Sequence, residues 1–337
     1  WLLAAWLVTG WVLAIVAVPV AVAGLMASFT ANERALLATK AAASKLQQPA
    51  QDSVQFPTQV KLLGALSSQL SEIDMFTQKG IPLWISLFYR GDQLRQKLRD
   101  VYFEGFGRVF LDETMQSMEQ QFVRVRKLPD HALLEKGAFK EQYDLLKIYL
   151  MLVEPRYFKK EVVKTWLNTH WNNKLDAEGK ADLKPEVGKE IEFYTEYIAS
   201  ERPMHQDTRI DGLVSAVQEQ LRRIPLGQRL YALSRGDAEP SLTAFTVDPI
   251  LSGSVSSKNE KSDHEEFVSG ICKLDGWKGP FQQSVRTVLT ETADEGWVLG
   301  EAKVDRGSLE TEIKRLHGRD CVQQWHAFLR SLHVRLQ

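Results

Sequence analysis

The sequence predicts a mainly α-helical protein: one transmembrane helix, then an elongated multi-helix region, with a small β element near residues 240–256. Three observations carry that prediction. The first 32 residues hold no charge, apolar residues recur at three-and-four spacing through most of the rest, and only one stretch, Leu242 to Leu251, is dominated by β-branched and aromatic side chains.

Composition narrows the field further. The 337 residues carry 42 Lys+Arg against 43 Asp+Glu, a formal net charge of -1, and are 44% hydrophobic. A chain of that length builds one large or two to three ordinary domains. Balanced charge gives no bulk basic field, so nucleic acid is not an expected partner. Cysteine is confined to Cys272 and Cys321, which excludes a disulfide-dense scaffold and multi-cysteine metal centres.

Trp1 to Asn32 exceeds the ~20 apolar residues that span a bilayer. Trp1, Trp6 and Trp11 crowd one end as an interfacial aromatic belt, and Pro19 predicts a kink; the span is set at about Leu7 to Ala27, within a first segment 1–30. A cleaved signal peptide fits less well, because the apolar run is long and no basic residues precede it. The chain opens on Trp rather than Met, as expected of a piece of a longer protein.

Helical periodicity follows over Ala31–Leu46, Lys61–Phe76, Leu83–Lys127 (one helix or two, given Gly91, Gly105 and Gly107), Phe139–Val153, Lys160–Asn172, Glu186–Ser200 and Ile210–Arg223. These make a helical domain over 31–235. At about Gly236 the texture changes to a smaller α+β subdomain, 236–337, in which Gly253 to His264 reads as a polar loop, Trp277–Asp294 and Ser308–Leu332 as helices, and Gly296–Gly300 as a short buried turn or strand.

A search for chemistry finds no catalytic, cofactor-binding or metal-ligating set. No phosphate-cradling Gly-x-x-x-x-Gly-Lys-Ser/Thr loop occurs, and Gly105-Phe106-Gly107 lacks the third glycine of a dinucleotide fingerprint. His264-Glu265 has no second histidine at the zinc-protease spacing. His317 and Cys321 share a helix face, but two ligands do not close a tetrahedral site. Glu186 and Glu190 stand at a spacing that chance supplies, and Trp166 and Trp171 suit helix packing better than sugar stacking. The Arg124-Arg126-Lys127 run suits lipid headgroups or simply a solvated helix face. Cys272 and Cys321, 49 positions apart, form one disulfide if the region lies outside the cytoplasm; two free thiols fit the sequence equally well.

Read in order, the aromatic landmarks resemble a known family. Tyr143-Asp144-Leu145-Leu146-Lys147-Ile148-Tyr149-Leu150-Met151-Leu152, with Pro155, Trp166 and Trp171 following, is similar to the signature of the IcmF/TssM family, the inner-membrane core protein of type VI secretion systems. Ser28-Phe29-Thr30-Ala31-Asn32, Leu87-Phe88-Tyr89-Arg90-Gly91, Leu221-Arg222-Arg223-Ile224-Pro225, Gly276-Trp277 and Asp320-Cys321-Val322-Gln323-Gln324-Trp325 agree in the same order. Cys272 and Cys321 depart from the aromatic residues usual there, so a disulfide would be peculiar to this protein.

The resemblance implies a non-enzymatic structural subunit: the third membrane helix plus the helical part of the periplasmic region, ending before a C-terminal β-rich domain. It also implies residence in the bacterial inner membrane with residues after about 30 in the periplasm, no cofactor, and three protein partners. Those are a TssJ-like outer-membrane lipoprotein, a TssL-like inner-membrane protein, and further copies of the chain in a homo-oligomeric ring, with the lipid bilayer around the anchor. The IcmF protein of type IVB secretion is the nearest alternative. A membrane-anchored periplasmic sensor and a peptidoglycan hydrolase are more distant ones.

Overall fold

A computed structural model describes residues 55–78, 91–135, 137–201, 211–246, 255–257, 267–300 and 306–334. The expected membrane-spanning helix, with Trp1, Trp6 and Trp11, lies outside those residues, as does the expected helix Ala31–Leu46. Among the described residues no helix is long and apolar enough to cross a membrane.

The fold is mainly helical. In chain order the helices are α1 Gln55–Gln78, α2 Gly91–Phe106, α3 Asp112–Val125, α4 Asp130–Leu134, α5 Ala138–Val153, α6 Lys160–Ala177, α7 Lys184–Glu201, α8 Asp211–Arg222, α9 Leu226–Ala238, α10 Gln282–Asp294 and α11 Arg306–Ser331. Strand β1, Val255–Ser257, pairs antiparallel with β2, Leu332–Val334. The small β element expected near 240–256 does not form there as a local unit. Of its described residues only Phe245, in a single bridge to Val268, and Val255–Ser257 are extended and paired, and the partner of β1 lies at the far end of α11. Residues 247–254 lie outside the described set.

Local causes account for the boundaries. Helix α6 places Val163, Leu167, Trp171 and Leu175 at four-residue steps, and all four are buried. It runs past Asn172 because its end is built at Gly179, whose φ of 69° is open to glycine. Gly179 N–H donates to the Asp176 carbonyl (3.1 Å) and Lys180 N–H to the Leu175 carbonyl (2.8 Å), closing a Schellman motif. Between α2 and α3, Gly107–Leu111 forms a π-helical turn rather than a break, so Phe106 and Phe110 are both fully buried. Pro225, extended at φ -54° and ψ 140°, sits at the N-cap of α9, a helix that the proline and Gly236 conceal in the sequence.

The chain divides into two compact units. The first contains the described residues up to Ser117 and those from Met151 to Glu201. Here α1 packs on α2 and α7, and α6 packs along α7. Its core is aromatic: Trp171 stacks on Phe56 (ring centroids 5.6 Å) and meets the edge of Phe110 (4.9 Å), while Phe106 stacks on Tyr194 (3.9 Å). The second unit contains Met118–Leu150 and the described residues from Asp211 onward. In it α9 packs on α10 and α11 around Leu230, Phe281, Val285, Ile313 and Leu316. A largely buried ion pair, Lys147 to Glu295 at 2.8 Å, joins α5 to the end of α10. The texture change at Gly236 falls inside α9, within this unit.

Candidate functional site

The second unit concentrates the molecule's polar and covalent specialisation along α11. Residues 267–276 are bound to that helix from several sides. Phe245 and Val268 exchange backbone hydrogen bonds (2.7 and 2.9 Å), and Phe245 rests against Trp325 and Phe328 (ring centroids 5.1 and 5.6 Å). Ser269 N–H donates to Gln324 Oε1 at 3.0 Å. Cys272, in the turn Gly270–Cys272, is disulfide-bonded to Cys321 of α11, with Cα atoms 5.3 Å apart. The segment doubles back so tightly that a Cβ on Gly276 would lie 2.1 Å from the Gly270 carbonyl oxygen, which restricts position 276 to glycine.

Beside the disulfide lies a hydrogen-bonded polar cluster. Tyr231 Oη donates to Asp320, Arg235 Nη1 donates to the same carboxylate at 3.2 Å, and Arg235 Nε donates to Glu239 at 3.1 Å. Ser269 Oγ donates to Glu239 Oε1 at 2.5 Å, tying the cluster to the clasped segment. Burial, reinforced by the Asp320 charge, pushes the Tyr231 hydroxyl far above the usual tyrosine range. Burial also disfavours the Arg235 charge, but Glu239 and Asp320 outweigh it and raise the guanidinium above its ordinary value. Tyr231 therefore stays protonated and Arg235 charged near neutral pH.

His317 stacks against both Trp277 and Phe281 (ring centroids 4.7 and 4.3 Å), which also stack on each other at 5.8 Å. Burial lowers its pKa to about 4, so the imidazole is neutral at physiological pH. A groove of about 330 Å³ opens next to these groups, lined by Leu133, Phe139, Tyr231, Arg235, Arg319 and Asp320 among others. Its carboxylate is already committed to Tyr231 and Arg235.

The arrangement holds residues 267–276 against α11. His317 and Cys321 do share a face, the Sγ lying 3.5 Å from Nε2, but the sulfur is bonded to Cys272 and is not available as a thiolate ligand. No group of three or more His, Cys, Asp or Glu side chains is placed to hold a metal among the described residues. Glu186 is exposed while Glu190 is buried, so the two do not face each other across a cleft. Trp171 is core, and Trp166 stacks on His170 (5.0 Å). His264 lies outside the described residues. The cluster Tyr231, Arg235 and Glu239 escaped the sequence reading although the three stand at successive four-residue steps; nothing in the pattern of one helix shows that Asp320 completes it from another.

Comparison with known proteins agrees with the landmark residues. The family model described as "IcmF-related: Intracellular multiplication and human macrophage-killing" matches residues 60–336. Among curated proteins the chain is similar to the "Type VI secretion system component TssM1" of Pseudomonas aeruginosa, 25% identical over 263 residues that cover 75% of this chain and 22% of that relative. The chain thus spans about a fifth of that protein's length. No solved structure matches. A match that extends through both compact units, from α1 to the end of the described residues, makes this chain a member of the IcmF-related family.

Proposed function

We infer that the chain is the anchored, periplasmic scaffold region of a type VI secretion membrane-complex subunit, without catalytic activity of its own. The observation that carries this reading is the similarity to the type VI secretion system component, which runs over three quarters of the chain. Two features support the finer parts. The charge-free run Trp1 to Asn32 suits an inner-membrane anchor. The Cys272–Cys321 disulfide suits an oxidising envelope compartment, since such bonds are rare in the cytosol. In this reading the helical region serves as a support, copies of the chain assemble as a ring, and a TssJ-like lipoprotein and a TssL-like membrane protein complete the assembly.

The IcmF-related family match is also compatible with a second reading, an IcmF protein of a type IVB system. Genes beside the coding sequence separate the two: sheath, hub and TssJ/TssL genes for type VI, Dot/Icm genes for type IVB. The direct test is to extract the tagged full-length protein in detergent, weigh the complex and identify its co-purifying chains by mass spectrometry. A megadalton assembly containing a small lipoprotein and a TssL-like protein is the expected result. A monomer or dimer without them overturns the reading.

A further inference from the structure

One surface of the second unit is used by nothing described so far. Helix α3 ends in Val123-Arg124-Val125-Arg126-Lys127-Leu128, and the turn that closes it is tight: Lys127 N–H donates to the Arg124 carbonyl (3.0 Å) and Leu128 N–H to the Val125 carbonyl (2.9 Å). The Gln220 side chain of α8 donates to the Leu128 carbonyl and to Asp130 Oδ1, both at 3.1 Å. That double hydrogen bond holds α8 against the α3 turn and leaves Arg223, just past the end of α8, on the Gln220 side, whereas Arg222 lies on the opposite face, near Gly300. The result is a rim of four cations, Arg124, Arg126, Lys127 and Arg223, contributed by two segments far apart in sequence.

Arg124, Arg126, Lys127, Arg222 and Arg223 are all exposed. Among the described residues no carboxylate pairs with Arg124, Arg126, Lys127 or Arg223, and Arg222 has only a 3.6 Å contact with Glu219. Complementing the helix dipoles accounts for Arg124 and Arg222, which sit in last turns. It does not account for Arg126, Lys127 and Arg223, which lie beyond them. A second observation accompanies the charge: Val123 is 45% exposed and Leu128 39% exposed, both large apolar side chains set among the cations. Solvation alone favours polar residues at such positions.

Cations surrounding protruding apolar side chains are the chemistry that an anionic lipid surface recognises: phosphate charges attract the rim, and the headgroup–acyl boundary accepts the apolar tips. We propose that the α3–α8 rim, Arg124, Arg126, Lys127 and Arg223 with Val123 and Leu128, is a docking surface for anionic phospholipid. It is separate in sequence from the N-terminal apolar run and acts whether or not that run is an anchor.

The test keeps the full chain in nanodiscs of phosphatidylcholine, which occupies the N-terminal run with neutral lipid. Sucrose-loaded vesicles of phosphatidylcholine, alone or mixed with phosphatidylglycerol, are added and sedimented. Expected is sedimentation with the phosphatidylglycerol vesicles only, weakened about tenfold or more by R124E/R126E/K127E/R223E and abolished by high salt, because exposed charges are screened. Circular dichroism and a non-reducing gel check that the variant is folded and cross-linked; if it is not, R126Q/K127Q and the salt titration of the unaltered chain serve the same purpose. Leu128→Ser weakens binding less than charge reversal. Equal sedimentation with both vesicle types, or binding indifferent to charge and salt, overturns the proposal. So does no sedimentation with either, which leaves the rim to an acidic protein partner.

Discussion

The two units solve the same problem, holding helices together, by different means. The first does it with rings: Phe56, Trp171, Phe110, Phe106 and Tyr194 form a continuous run of stacked and edge-on contacts linking α1, the π-helical turn, α6, α2 and α7. The second must also fix a stretch, 267–281, whose backbone is a succession of short turns. Ordering such a stretch costs conformational entropy without the long ladder of backbone hydrogen bonds that a regular helix supplies in return. There the protein uses a disulfide, a glycine contact and a polar cluster. Regular helices make apolar periodicity sufficient; irregular chain requires specific bonds.

The largest effect that tests this contrast is expected in the first unit. Trp171→Ala removes a fully buried ring that touches Phe56 and Phe110, and a loss of about 3–5 kcal/mol is expected in denaturant unfolding. A loss below about 1 kcal/mol would mean that the aromatic run is not what holds that unit.

Next comes the cross-link. A disulfide closing 49 residues contributes up to about 4 kcal/mol in the chain-entropy model. Reduction, or Cys272→Ser with Cys321→Ser, is therefore expected to raise amide exchange across 267–281 and along α11, and to leave α6 and α7 unchanged. Equal exchange in both places would erase the distinction between the units.

The smallest effect sharpens the exception in the aromatic unit. Glu190 is buried between α1 and α2; its Oε1 accepts from Ser67 Oγ at 3.0 Å, while Oε2 has no hydrogen-bond partner among the described residues. Burial raises its pKa above the ordinary value of 4.5. The folded state then holds its proton to higher pH than the unfolded state does. This contribution is fully present below the unfolded pKa and is lost as pH rises through the folded one. Glu190→Gln should flatten that fall in a pH series of unfolding free energies; an unchanged slope would place the cause elsewhere.

What the sequence made legible follows the same division. Periodic apolar residues located α5, α7, α8 and α11 to within two residues at each end, because each buries one stripe, while α1 starts six residues earlier and α6 ends five residues later than the periodicity indicates. Helix α9 was hidden by residues that usually stop helices but here start one, at Pro225, and sit inside it, at Gly236. The polar cluster was not legible, since Tyr231, Arg235 and Glu239 need Asp320 from α11, a partner that only folding supplies. The cation rim was partly legible: Arg124-Arg126-Lys127 is visible as a run, but Gln220 is what adds Arg223 to it.

The disulfide also has a topological side. Cys272 and Cys321 turn the intervening chain, α10 included, into a closed ring of covalent bonds. A protease that cuts once inside that ring releases no fragment. The nicked protein keeps its mass and migrates as one band until a thiol is added, so only a reducing gel reports whether this part of the chain has been cut.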